Sequence, residues 1–280
     1  MISALLVSYN TRDLLAATLE RLLALPDPPD EVLVADNGST DGTLDLLAAR
    51  FPGVRVLPLA KNLGFGAANN RAAAAARGDK ILLLNSDAWP LPGTLARLSA
   101  ALDRDPRLAL AAPHLRYPDG GAQFHWAPAT GVMGEALQKL RNPLESWRLI
   151  HRVRWPGRWF TAACALLRRE AFAAVGGFDE GFFLYFEDVD LCTRLLACGW
   201  KLRSVAGAEA VHLKGGSRGA DRENLEYRRG QLRFYAKHRP GWENRFLRAR
   251  LARRARRLPA AERERLLALL AEPTPEGRSL

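Results

Sequence analysis

The chain has 280 residues, 48% hydrophobic and 25% charged, an ordinary globular mixture that excludes a disordered chain or a collagen. Its three cysteines, Cys164, Cys192 and Cys198, form no CxxC pair, which argues against a disulfide framework or a zinc knuckle and for a reducing, cytoplasmic compartment. The net charge of +11 is uneven: residues 218–265 carry 16 Lys and Arg against 6 Asp and Glu, while the body before them is near neutral.

The first residues, MISALLVSYN, are apolar but lack a basic leader and a small-residue cleavage site, so they read as a strand and not a signal peptide. Leu14, Leu15, Leu19, Leu22 and Leu23 then recur at helical spacing behind Thr11, a candidate cap, and Pro26, Pro28 and Pro29 stop that helix. Strands are expected at 31–35, 54–59, 80–84 and 108–112. Helices are expected from Thr40 or Asp41 to Arg50, over 63–77 and over 92–103. Residues 113–160 have no clear period and read as a long loop, a candidate lid, with some helix around 135–140. Strands over 160–168, 201–205 and 210–212 and helices over 170–175 and 187–198 follow. Helices over 221–238, 242–257 and 259–271 finish the chain. No stretch approaches the roughly 20 apolar residues of a membrane span.

Strands alternating with helices predict a parallel α/β sheet. Polar residues end successive strands at Tyr9-Asn10, Asp36, Asn62 and Asp87, and ligands of such sheets bind at that edge. A carboxylate at Asp36 can accept from a nucleobase imide or a ribose hydroxyl, while Ser39, Thr40 and Asp41 can equally cap a helix. Asn62-Leu63-Gly64-Phe65-Gly66 opens a helix like a phosphate cradle. No GxGxxG follows the first strand and no GxxxxGK[ST] occurs, which argues against a dinucleotide or P-loop enzyme. Asn85-Ser86-Asp87 offers polar side chains at alternate positions that can face one ion, or a capping turn. Glu187-Asp188-Val189-Asp190 sets three carboxylates at a helix start, where they can complement the helix dipole or supply a general base. His212 precedes Lys214-Gly215-Gly216-Ser217, a loop suited to phosphate.

Taken in order, Ser8-Tyr9-Asn10, Asp36-Asn37-Gly38-Ser39-Thr40-Asp41, Asn62-Leu63-Gly64-Phe65-Gly66, Asn85-Ser86-Asp87, Gly176-Gly177-Phe178-Asp179-Glu180 and Tyr185-Phe186-Glu187-Asp188-Val189-Asp190-Leu191 resemble the family 2 glycosyltransferases, especially the bacterial rhamnosyltransferase-like branch. The resemblance covers about residues 1–240. It implies the A-type glycosyltransferase fold, a mostly parallel sheet flanked by helices. It also implies an inverting, metal-dependent transfer of rhamnose or another hexose from a nucleoside-diphosphate-sugar, UDP- or dTDP-linked, to a glycan or lipid-linked acceptor in cell-surface polysaccharide synthesis. By the same resemblance Tyr9 lies against the base and Asp36 bonds the base or ribose. Ser8, Asn10, Asn62, Gly64, Gly66, Asn85, Ser86 and Glu187 line the donor site. Asp87 and His212 bind Mn²⁺ or Mg²⁺, with Asn85 at the first position of the motif usually written Asp-x-Asp, and Asp188 is the base.

Two other classes stand beside this one: a sugar-1-phosphate nucleotidylyltransferase, whose glycine-rich basic first loop Ser8-Tyr9-Asn10-Thr11 does not match, and a non-catalytic binding protein of the same fold. Residues 1–217 are expected to form the catalytic domain and 218–280 a basic helical extension. In that extension Phe246, Leu247 and Leu251 form an apolar stripe among arginines. A basic amphipathic helix of this kind can lie on an anionic bilayer, which would make the protein peripheral on the cytoplasmic face of the inner membrane, or it can pack its leucines on the body. Nucleic acid is not an expected partner, since the body is near neutral and has no recognition motif.

Overall fold

Alternation within the first strands decides how the protein is layered. The computed structural model describes residues 1–123, 125–127, 131, 159–213 and 224–272; the helix expected near 135–140, most of the candidate lid and the loop 214–217 lie outside them, and the described ends of the lid are not simple loop but carry strand at 113–116, 122–123, 126–127 and 159–160. In chain order the elements are β1 (Ile2–Ser8), α1 (Arg12–Leu23), β2 (Glu31–Asp36), α2 (Thr43–Arg50), β3 (Arg55–Pro58), α3 (Phe65–Ala75), β4 (Lys80–Asn85) and β5 (Ala88–Pro90). They continue with α4 (Thr94–Arg104), β6 (Leu108–Arg116), β7 (Ala122–Gln123), β8 (Trp126–Ala127), β9 (Trp159–Phe160), β10 (Cys164–Arg168), α5 (Arg169–Ala174) and α6 (Glu187–Ala197). The last are β11 (Lys201–His212), α7 (Leu225–His238), α8 (Gly241–Ala255) and α9 (Ala260–Ala271).

Successive strand side chains point to opposite faces, so each apolar run feeds two cores. Ala4, Leu6, Val32, Val34, Leu82 and Leu84 pack against leucines of α1, α2 and α4. Leu5, Leu33, Ala35, Ile81 and Leu83 pack on the other face against α3, α5 and α6. Both faces are covered, which is why these strands read as unbroken apolar runs.

The main sheet runs β3-β2-β1-β4-β10-β6-β11-β5, with β7 beside β6. Its first four strands are parallel. The rest is mixed: β10 is antiparallel to both β4 and β6, β11 is parallel to β6, and β5 is antiparallel to β11. The two strands expected at 201–205 and 210–212 are one strand whose register shifts between Ser204 and Glu209, with Gly207 at φ +75° absorbing the irregularity. Strand β5 is absent from the sequence reading because Pro90 looks like a turn residue; it is tolerated at the sheet edge, where no ladder donor is needed.

A third core joins Phe182 and Val189 to Leu232, Phe234 and Tyr235 of α7, Leu247 and Leu251 of α8, and Leu266 and Leu269 of α9. Leu247 and Leu251 therefore pack inward, whereas Phe246 of the expected stripe is exposed. Among the described residues no helix is long and apolar enough to cross a membrane.

Candidate active site

Register alone brings the strand-end residues together. Ser8 sits opposite Asp36 across β1 and β2, and Val7 sits opposite Asn85 across β1 and β4. The polar residues that follow these positions share one edge of the sheet.

Asp36 is buried. Its Oδ2 accepts the Ser39 N–H at 3.1 Å, while its Oδ1 is buried without a partner among the described residues. A carboxylate oxygen left open in this way is an acceptor awaiting a donor. Tyr9, 48% exposed, stands at the rim. Asn10 adopts φ +53°, a conformation Asn tolerates, and its Oδ1 accepts the Thr40 N–H at 2.8 Å. Ser8 is buried, with its hydroxyl 3.0 Å from that of Thr11, which makes no side-chain cap on α1. Asp41, the other expected cap, accepts the Thr43 N–H at 3.1 Å at the start of α2.

The glycine-rich segment serves as a packing device. Leu63 N–H donates to Asn37 Oδ1 at 2.9 Å, Gly64 N–H to Asn62 Oδ1 at 2.9 Å and Phe65 N–H to the Phe183 carbonyl at 2.9 Å. Three of the N–H donors of this segment are therefore already engaged. Gly64, at φ +87°, has no room for a Cβ against the Phe183 backbone, and Gly66 lies under Phe178. Asn37, buried between these loops, also gives its N–H to the Ser8 carbonyl at 2.7 Å and its side-chain amide to Asn62 at 2.8 Å. In the sequence alone Asn37 looks like a turn residue.

Strand β4 stops at Asn85, and Ser86 and Asp87 form the turn into β5, where the Thr18 hydroxyl donates to the Ser86 carbonyl at 2.9 Å. The pairing with His212 forms. His212 Nε2 lies 3.3 Å from Asp87 Oδ1 and 3.5 Å from Asn85 Nδ2. Gln123 clamps the histidine from both ends: its Nε2 donates to the His212 carbonyl at 3.0 Å, and its Oε1 accepts from His212 Nδ1 at 2.6 Å. With Nδ1–H committed to Gln123, a neutral ring turns its Nε2 lone pair towards the Asp87 carboxylate. Two lone-pair donors facing each other, one of them oriented by an outer partner, suit a cation. Among the described residues no three His, Cys, Asp or Glu side chains form a complete metal cluster. The chemistry of the pair fits part of the ligand set of a divalent ion. No feature of the sequence points to Gln123, which reaches His212 only through the β6–β7 pairing.

The three acids at the start of α6 have different fates. Asp190 is fully buried and receives Arg194, Lys237 and His238, each at 2.7 Å. Burial would raise its pKa, but the His238 hydrogen bond and the two cations hold it down at about 2. Glu187 is buried with Oε2 unpartnered among the described residues; burial and then the neighbouring Asp188 push its pKa up. Asp188 is half-buried, and burial raises its pKa too. It accepts the Val189 N–H at 2.8 Å, the Ala162 N–H at 3.4 Å and the Thr161 hydroxyl, and pairs with no cation among the described residues. Ahead of it Tyr185 and Phe186 both sit at φ +69°, strained for aromatic residues, and the Tyr185 carbonyl presses on Gly230 of α7 where a Cβ would not fit.

The model of the glycosyl transferase family 2 matches residues 3–176, more than half of the chain. The chain is 33% identical over 258 residues to an N-acetylglucosaminyl-diphospho-decaprenol L-rhamnosyltransferase of Mycobacterium tuberculosis, covering 84% of each. It is 33% identical over 227 residues to the O-antigen biosynthesis protein RfbC of Myxococcus xanthus, covering 78% of this chain and 18% of that one. Among solved structures, a mannosyltransferase of Pyrobaculum calidifontis in complex with GDP-Man and Mn²⁺ superposes with a TM-score of 0.59 at 20% identity, over 95% of this chain and 68% of that one. GalNAc-T7 with UDP, GalNAc and Mn²⁺ gives 0.64 at 15%, over 98% of this chain and 55% of that one. These two likenesses establish the shared fold.

Proposed function

The chain belongs to glycosyl transferase family 2, and we propose that it moves a deoxyhexose, rhamnose, from a dTDP- or UDP-linked donor to a lipid-diphosphate-linked sugar with inversion. It is a glycosyltransferase of cell-surface polysaccharide synthesis, which sets aside nucleotidyl transfer and sugar binding without turnover. Supporting the finer reading is the mycobacterial relative, named for rhamnosyl transfer to N-acetylglucosaminyl-diphospho-decaprenol and matched over 84% of its length. An acceptor of that kind would bring the protein to the cytoplasmic face of the membrane.

In this mechanism Asp36 Oδ1 accepts a hydrogen bond from the base or ribose, and Tyr9 lies against the base. Asp87 and His212 would hold the divalent ion. Mn²⁺ or Mg²⁺ bound there would stabilise the negative charge growing on the departing diphosphate. Asp188 takes the proton of the acceptor hydroxyl as that oxygen attacks the anomeric carbon, and the nucleoside diphosphate leaves from the opposite side. One displacement therefore inverts the centre.

The observation that carries this reading is the sorting of the acids: Asp190 is held by Arg194, Lys237 and a His238 hydrogen bond, while Asp188 pairs with no cation among the described residues. Purified protein is incubated with a panel of nucleotide sugars and a short-chain lipid-diphosphate acceptor, and products are read by mass spectrometry and anomeric coupling. An inverted rhamnoside is expected, with activity lost in excess chelator. Asp188→Asn is expected to lower kcat by about 10²–10⁴-fold while donor Kd stays within a few-fold. Retained turnover would remove Asp188 from the base role.

A further inference from the structure

We propose that the outer face of α8 seats the protein on an anionic bilayer surface. This inference rests on the lipid-linked acceptor proposed above and names the surface that would meet the membrane. Helix α8 has two sides. Its inner side, Leu247, Leu251 and Ala255, is buried against α7 and α9. Its outer side carries Trp242, 57% exposed, and Phe246, 49% exposed, one turn apart. On the same side stand Arg245 and Arg253, followed by Arg256 and Arg257 in the turn beyond the helix, all exposed and none paired with a carboxylate among the described residues. The acidic residue of the helix, Glu243, turns inward to Arg239 at 2.6 Å. The outer face is thus a stripe about 20 Å long with aromatic rings at one end and only positive charge along it.

Large exposed aromatics beside arginines are the composition of a membrane-interface helix, where Trp settles at headgroup depth and Arg reaches the phosphates. Charge decides between occupants. A second copy of this face would bring four arginines against four. A nucleic acid would satisfy the arginines but leave the aromatic end without a matching apolar phase. Only an anionic bilayer offers both. The inner side of α8 reaches the catalytic loop through a single layer, since α7 touches Tyr185 and Asp190 directly. A lipid diphosphate anchored beneath α8 would be held near Asp188.

The test is sedimentation of the full chain with phosphatidylcholine vesicles, with mixed phosphatidylglycerol–phosphatidylcholine vesicles, and with duplex DNA in competition. Wild type is expected to pellet with the mixed vesicles, to be released by salt, and to ignore pure phosphatidylcholine. W242S/F246S is expected to weaken binding by at least about tenfold. R245Q/R253Q/R256Q/R257Q is expected to weaken it more, about fivefold per Arg, and to flatten the salt dependence. Circular dichroism and transfer to a water-soluble acceptor, unchanged in both variants, show that they fold. Wild-type-like binding by W242S/F246S, equal binding to both vesicle types, or capture by DNA in place of vesicles would overturn the proposal. Vesicle binding needs no substrate, so a failure to transfer rhamnose with vesicle binding intact would refute the activity and leave this surface standing.

Discussion

At the scale of single residues, proton affinity and orientation are set by neighbours, and both are measurable. Asp188 works as a base only when ionised. Burial raises its pKa above the ordinary 3.8, so transfer is expected to fade as pH falls through that raised value, at a higher pH than an exposed aspartate would give. The acidic limb of kcat against pH reads this directly, and a limb near 3.8 would contradict it. Gln123 is expected to act on the metal through His212. Gln123→Met keeps length and apolar bulk but frees Nδ1, so Mn²⁺ affinity measured by titration calorimetry with nucleotide should fall about 10–100-fold. Unchanged affinity would mean that the His212 ring needs no outer support. Of the residues proposed for the site, Asp36, Asp87, Asp188 and His212 stand out in the sequence because each ends or closely follows a strand or opens a helix. Asn37, Gln123 and Thr161 do not, because their importance comes from what they touch and not from what they are.

At the scale of elements, α7 supports the loop ahead of α6. Loop 181–186 is caught between Gly64 on one side and Gly230 on the other, and the strained Tyr185–Phe186 pair is held there. Asp190 fastens the arrangement through Lys237 and His238. Its pKa is depressed, so the stability it contributes is present above the unfolded value of 3.8 and is lost as pH falls towards about 2. Asp190→Asn is therefore expected to cost about 2 kcal/mol in urea unfolding at neutral pH, and the difference from wild type should vanish near pH 2. A difference that persists at low pH would show that packing and not charge is responsible. The parallel β1–β4 layer was readable because its strands are short apolar runs between helices. The insertion of β10 between β4 and β6 was not, since that antiparallel pairing joins residues far apart in sequence and leaves no local pattern.

At the scale of the whole molecule, the composition shift at residue 218 marks a change of surface charge more clearly than a change of structural unit. The basic segment supplies buried Leu232, Phe234 and Tyr235 to the core that also holds Phe182 and Val189. A chain ending at Ser217 is expected to lose transfer and to expose apolar surface, read as dye binding and a lowered unfolding midpoint. Full activity of that fragment would restore the simple division at 217. Sequence pattern finds the arginines but leaves open whether Leu247 and Leu251 meet a bilayer or the body, because a helix with apolar residues on two faces does not say which face its neighbours will cover.

The two-core layering of the strands has a consequence for how such a protein can vary. One residue inserted in β2 would exchange the cores that Leu33 and Val34 serve and swing Asp36 to the opposite side of the sheet. Two inserted residues would restore the cores but carry Asp36 about 7 Å past Ser8, out of line with the edge it shares. Strand length is thus locked twice, by packing and by chemistry, and changes in length are confined to the connections between elements.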